Sequence, residues 1–197
     1  MKWTERTIAA ALAQQTFNRK YLVVVPNCNW TGYEADILAV TENLRLIDVE
    51  IKISRADLRA DARKDKWWRH ENVGSPLRLE DFDASGRLVR RRHAYAQQFE
   101  LRTWPRRVWK HYYALPAEIW TDDLLPALGS EASGVLLLSD TGHGLQIRCR
   151  RPAKPCRDAE KISPAAAVHV ARLASLRMWD AYQKLDGLVA KNEAVTA

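Results

Sequence analysis

Residues 48–53 read Asp48-Val49-Glu50-Ile51-Lys52-Ile53, and few structures accommodate that alternation. In an extended strand successive side chains point to opposite faces, so Val49, Ile51 and Ile53 share one face while Asp48, Glu50 and Lys52 share the other. The apolar face demands a core. The charged face sets two carboxylates and an ammonium in a row at the sheet surface. Such a row is either solubilising charge on an edge strand or a chemical site.

The flanking sequence supplies the rest of a layered α/β arrangement. Residues 4–13 read as a helix capped by Thr4, with Ile8, Ala9, Leu12 and Ala13 as its apolar stripe. Residues 21–25 form a β-branched run ended by Pro26, and 34–40 and 44–53 follow as two strands close enough to form a hairpin. Residues 56–69 read as a charged helix with Ser54 as its cap. Strands are expected again at 111–115, 134–139 and 145–149, with a turn at 142–144. Ser163-Pro164 opens a last helix running to about Lys184 or Val189, with Val168, Ala171, Leu173, Leu176 and Trp179 on its packed side. The expected fold is a central mixed sheet flanked by helices. One domain is expected over residues 1–190, with an insertion at about 71–107 and a tail at 191–197. The insertion is irregular in pattern and admits a hairpin; segments of that length in a compact domain tend to be functional.

Charge is unevenly placed. The chain of 197 residues carries +7, but residues 51–110 hold 16 Lys and Arg against 8 Asp and Glu. Four of the eight tryptophans lie in or beside that basic segment: Trp67, Trp68, Trp104 and Trp109. Basic residues interleaved with aromatics suit a surface that holds phosphates and stacks on bases; the alternative is a solvated face over a tryptophan-filled core. Cys28, Cys149 and Cys156 match no common zinc spacing and cannot all pair with one another. With no run of 18 apolar residues and no signal-peptide pattern, a cytoplasmic protein without a membrane span is expected.

Asp36, on the preceding strand, can face the same side as Glu50 and Lys52, with Glu34 beside it. Clustered carboxylates repel unless a cation sits among them. Oxygen ligands suit Mg²⁺, with Mn²⁺ expected to substitute, and Mg²⁺ bridges substrate phosphates. A lysine two residues beyond the glutamate would orient or deprotonate the attacking water, or offset charge on the phosphate. Asp36, Glu50 and Lys52 are therefore the parts needed for metal-assisted phosphodiester hydrolysis. Asp36 and Glu50 are expected to share one metal, with the Ile51 carbonyl as a third ligand. The five histidines show no ligand spacing, and no phosphate-binding glycine loop occurs.

This pattern resembles the PD-(D/E)XK nuclease superfamily, in which an acidic residue on the first helix, an Asp at a strand start and E-x-K on the next strand recur in that order. The matching positions are Glu5, Asp36, Glu50 and Lys52. The stretch from Asp48 through Ser54 and Asp57 to Asp61 and Lys64 is similar to a bacterial and phage branch associated with DNA repair. So are His111-Tyr112-Tyr113-Ala114-Leu115-Pro116 and the strand that begins at Gly134. The likeness spans most of 1–69 and 109–180, and the long interval between Arg69 and His111 departs from it. It implies a restriction-endonuclease-like fold and cleavage of DNA more often than RNA, without fixing ends, structures or polarity; an endonuclease is expected over an exonuclease, and junction cutting would favour a homodimer. It also implies that Glu5 acts through water and that Lys64 reaches a phosphate, or Lys66 should the helix run one turn differently. Arg87, Arg90, Arg91 and Arg92 are then expected to hold the backbone of a longer substrate; the alternative is a solvated loop. Two readings compete with an enzyme: a non-catalytic nucleic-acid-binding protein, and a structural adaptor of the same fold.

Overall fold

Strands β1 (Tyr21–Cys28), β2 (Ala35–Thr41) and β3 (Leu46–Ile51) form an antiparallel meander in this computed structural model. The structure describes residues 3–17, 20–142 and 144–196, with side chains as far as residue 187. Next in the chain come β4 (Trp68–Phe82) and β5 (Leu88–Leu101), then β6 (Val108–Pro116), β7 (Gly134–Asp140) and β8 (Leu145–Arg151). The main sheet has the order β1-β2-β3-β6-β7-β8. β6 runs parallel to β3 and to β7, whereas β8 pairs antiparallel, so the sheet is mixed. No described helix is long and apolar enough to cross a membrane.

Helix α1 (Glu5–Ala11) starts at a reciprocal capping box between Thr4 and Thr7 and continues as π-helical backbone from Leu12 to Phe17. Ile8 and Leu12 pack with Ile37, Ala39, Ile47, Val49 and Ile51 on one face of the sheet. On the other face, Leu58 of α2 (Arg55–Asp61) and Trp67 pack with Tyr113, Leu115, Val135 and Leu137. Farther along that face Val170 of α3 (Pro164–Thr196) meets Leu38, Val40 and Leu46.

Several expectations change. Pro26 does not end β1, because β1 is an edge strand whose outer side needs no N–H donor. β3 is an interior strand buried on both faces, so Asp48, Glu50 and Lys52 are not surface charges on an edge; Ile53, beyond the strand, is the exposed residue. The helix predicted to reach Arg69 stops at Asp61, where a turn and a short 3₁₀ segment, Asp65–Trp67, bring Lys64 and Lys66 back over β3. Val168, Leu176 and Trp179 of α3 are exposed; Ala166, Ala167, Val170, Leu173 and Ala174 face the sheet instead. α3 continues through 191–196, where a tail was expected. The 142–144 turn includes His143, which lies outside the described residues.

The insertion is a regular two-stranded arm, β4 paired with β5 and turned at Asp83–Gly86. Asp83 Oδ1 accepts from the backbone of Ser85 and Arg87 and fixes that turn. Opposing residues Gly74, Ser75 and Pro76 bulge against Tyr95.

Candidate functional site

The E-x-K strand ends inside a dense ion cluster. Glu50 Oε2 lies 2.9 Å from Lys52 Nζ and 3.3 Å from Lys64 Nζ, and Glu50 Oε1 lies 2.8 Å from Lys66 Nζ. Asp61, on the last turn of α2, meets the same three ammoniums at 3.1, 2.9 and 3.3 Å. Side-chain exposure is 1% for Glu50, 3% for Lys52, 0% for Asp61 and 2% for Lys66, but 49% for Lys64. Two buried carboxylates thus face three cations, only one of which reaches water. Burial would raise the carboxyl pKa of Glu50, but Lys66 and Lys52 outweigh it and hold it below the ordinary value. The same balance holds Asp61 low, helped by the Tyr113 hydroxyl. Burial would lower the Lys52 ammonium, yet Glu50 and Asp61 raise it above an ordinary lysine.

Asp61 is the hub. Its Oδ2 accepts from the Tyr113 hydroxyl at 2.7 Å and from Trp67 Nε1 at 3.3 Å. Tyr113 in turn accepts from the Gly129 N–H. Behind the cluster, His111 stands edge-on to the rings of Trp67 and Tyr113, with Nδ1 2.9 Å from Ser133 Oγ. Asp48 accepts from the Tyr33 hydroxyl at 3.2 Å, and burial together with Glu50 pushes its carboxyl up to about 7. This layer is a packed polar core rather than an open surface.

Asp36 sits at the open end. Its Oδ2 accepts the Ile51 N–H at 2.6 Å, tying the start of β2 to the end of β3. Burial first, then Glu50, push its carboxyl up to about 6, and Glu5 adds to the repulsion. A cavity of about 630 Å³ opens there, lined by Glu5, Glu34, Asp36 and Ile51 on one side and by α3 on the other. Of the sequence-predicted set, Glu5, Asp36 and Ile51 therefore share a cavity, whereas Glu50, Lys52, Lys64 and Lys66 share the ion cluster. Arg87, Arg90, Arg91 and Arg92 lie apart on the arm, where Arg91 pairs with Glu80 and Arg92 with Asp81. Trp67 is fully buried and unavailable for base stacking; Trp68, Trp104 and Trp109 remain partly exposed.

Asp36, Glu50 and the Ile51 carbonyl offer oxygen donors, the type a hard divalent cation takes, but both Glu50 oxygens contact ammoniums. Asp36 has its ionised form destabilised by two other carboxylates, and Glu50 Oε1 is buried with no hydrogen bond of good geometry. Among the described residues no three Asp, Glu, His or Cys side chains already converge as a cage. Glu50 would have to loosen an ammonium contact to join Asp36 and the Ile51 carbonyl.

The sequence pattern missed the roles of Tyr113, Trp67 and His111, and the participation of α3. Asp61 was visible only as a spacing from Asp57 and Lys64. No signal in one chain tells a hydroxyl aimed at a carboxylate from an ordinary core tyrosine.

No family model matches this sequence, and no curated protein matches it. A solved structure does. The "SPO1766 protein of unknown function from Silicibacter pomeroyi" is 17% identical, over 94% of this chain and 92% of that one, with a TM-score of 0.52. The two share a fold.

Proposed function

We propose that the protein is a Mg²⁺-dependent nuclease of the PD-(D/E)XK type, built on a restriction-endonuclease-like sheet and cutting phosphodiester bonds in DNA. The observation that carries this reading is the bond from the Ile51 N–H to Asp36. It joins the strand that bears Glu50 to a carboxylate that, with Glu5, lines an open cavity.

Asp36, Glu50 and the Ile51 carbonyl would hold the cation. When bound, it would polarise the scissile phosphate and lower the pKa of the attacking water. Asp36 anchors the end of β3, so its position is set by the backbone. Lys52, kept protonated by Glu50 and Asp61, serves as a fixed positive charge and orienting donor rather than as a proton acceptor. Lys64, half in water and tethered to Asp61, is the member of the cluster able to meet a phosphate. Glu5 faces the cavity from α1 and acts at one remove, through water.

A second reading has its own observation. Both Glu50 oxygens contact ammoniums and Lys52 is out of water, an arrangement that also suits a nucleic-acid-binding protein without turnover. Cleavage assays on duplex, single-stranded and branched DNA and on RNA, with Mg²⁺, Mn²⁺ or EDTA, decide between them. The nuclease reading expects metal-dependent cutting that Asp36→Asn abolishes with its melting curve unchanged. Tight, salt-sensitive binding with no cutting in any metal selects the second.

A further inference from the structure

The cavity beside Asp36 has two unlike walls. One, from α1 and the start of β2, presents Glu5, Glu34 and Asp36; the other, from α3, presents Arg177, Asp180 and Lys184. With Arg6, the lining carries three cations against four carboxylates. A polyanion entering such a space is repelled from its acidic wall and must be drawn in from the opposite one.

α3 is arranged for that. Arg177 and Lys184 are seven residues apart, about two turns, so they share one helical face at a separation of ~10.5 Å along the axis. Arg177 is pre-positioned: Nη2 donates to the Asn27 carbonyl at 3.2 Å, and Nη1 lies 3.6 Å from Asp180. Its remaining N–H donors are left for a ligand. Lys184 has no ion pair or hydrogen bond among the described residues, so its charge is uncommitted.

We infer that this cavity seats a nucleic-acid backbone, with Arg177 and Lys184 of α3 each holding one phosphate across from Asp36. The inference rests on the nuclease reading for its ligand class, but not on turnover. It assigns the carboxyl-terminal helix a binding role and makes Arg177 and Lys184 positioning residues.

The test is affinity for a labelled DNA duplex and single strand across a salt series, with EDTA present so that no strand is cut. Because Arg177 also holds the Asn27 turn, the decisive variant is Lys184→Gln; Lys184→Arg serves as rescue and the exposed Lys161→Gln as control. One lost phosphate contact lowers the slope of log affinity against log salt by about 0.9 on duplex and about 0.7 on single strand. The expected result is that drop in Lys184→Gln, its restoration in Lys184→Arg, and about twice the drop when Arg177→Ala is added. Wild-type and Lys184→Gln curves that superimpose, an equal drop in Lys161→Gln, or no binding by wild type would overturn the inference. If Lys184→Gln loses binding while the wild type cuts nothing with Mg²⁺ or Mn²⁺, the nuclease reading fails and this one stands. If the wild type cuts and the curves superimpose, the reverse holds.

Discussion

Lys66 Nζ lies 2.8 Å from Glu50 Oε1, and the two side chains are almost wholly excluded from water. The same ammonium lies 3.3 Å from Asp61 Oδ2, so Lys66 joins the E-x-K strand to the end of α2. Removing Lys66 leaves the buried Glu50 Oε1 without its cation, and Glu50 and Asp61 are then left to share Lys52 and the half-exposed Lys64. Lys66→Met should therefore destabilise the fold by about 3–5 kcal/mol. Lys64→Ala, at a half-exposed site, should cost under about 1 kcal/mol. Urea unfolding of both variants checks the contrast, and similar midpoint shifts would mean that Lys66 is better solvated than its burial indicates.

Lys52 carries the next expectation. On the nuclease reading, Lys52→Ala lowers the cleavage rate by roughly 10²-fold or more, as for a group used in the transition state. Its pKa lies above the ordinary lysine value of 10.5, so the wild-type pH–rate profile should show no Lys52 limb below that pH. A lysine titration near neutrality would instead make it a base.

His111 gives a pH dependence of stability. Burial, and then the charge of Lys66, hold its imidazole well below the ordinary 6.5. The unfolded chain therefore takes up a proton that the folded chain refuses. The corresponding stability is present above pH 6.5 and is lost as pH falls below it. Thermal melts at pH 7.5 and 5.5 should differ more for the wild type than for His111→Gln, whose side chain does not titrate. Equal differences would remove His111 as the source.

The arm modifies what its arginines can contribute. Arg91 and Arg92 already meet Glu80 and Asp81 on the opposing strand. Replacing Arg87, Arg90, Arg91 and Arg92 by alanine should thus reduce the salt slope of DNA binding by fewer than four phosphate contacts, each about 0.9 unit. Anisotropy titrations measure it; an unchanged slope would take the arm out of the binding surface.

Gly129 is fixed by close approach. A Cβ there would collide with Cε2 of the Trp67 indole, which cannot move without giving up its bond to Asp61. Gly129→Ala should cost about 1–3 kcal/mol by overpacking. It should also shift the fluorescence of the buried Trp67. A neutral effect in denaturant titration would show that the indole relocates freely.

Local chemistry made much of the main sheet legible in the sequence. The cap at Thr4, the apolar runs of β1, β2, β6 and β7 and the Ser163-Pro164 start each depend on neighbours a few residues away, and those elements form where the pattern puts them except at their ends, β1 running past Pro26 to Cys28 and β6 starting at Val108. Alternation likewise placed Glu50 and Lys52 on one face, against Val49 and Ile51. What alternation does not determine is what covers that face. The chain turns at Asp61 because a carboxylate there meets Tyr113 from β6 and Trp67 from beyond the turn, partners 52 and 6 residues away. The same long-range contacts made β3 an interior strand and drew Lys64 and Lys66 onto Glu50. They also brought the stretch of α3 from Arg177 onward, more than 140 residues from Asp36, to the opposite wall of its cavity. Side-chain period is a property of one strand, whereas burial and charge pairing depend on which strands and helices the whole chain brings together.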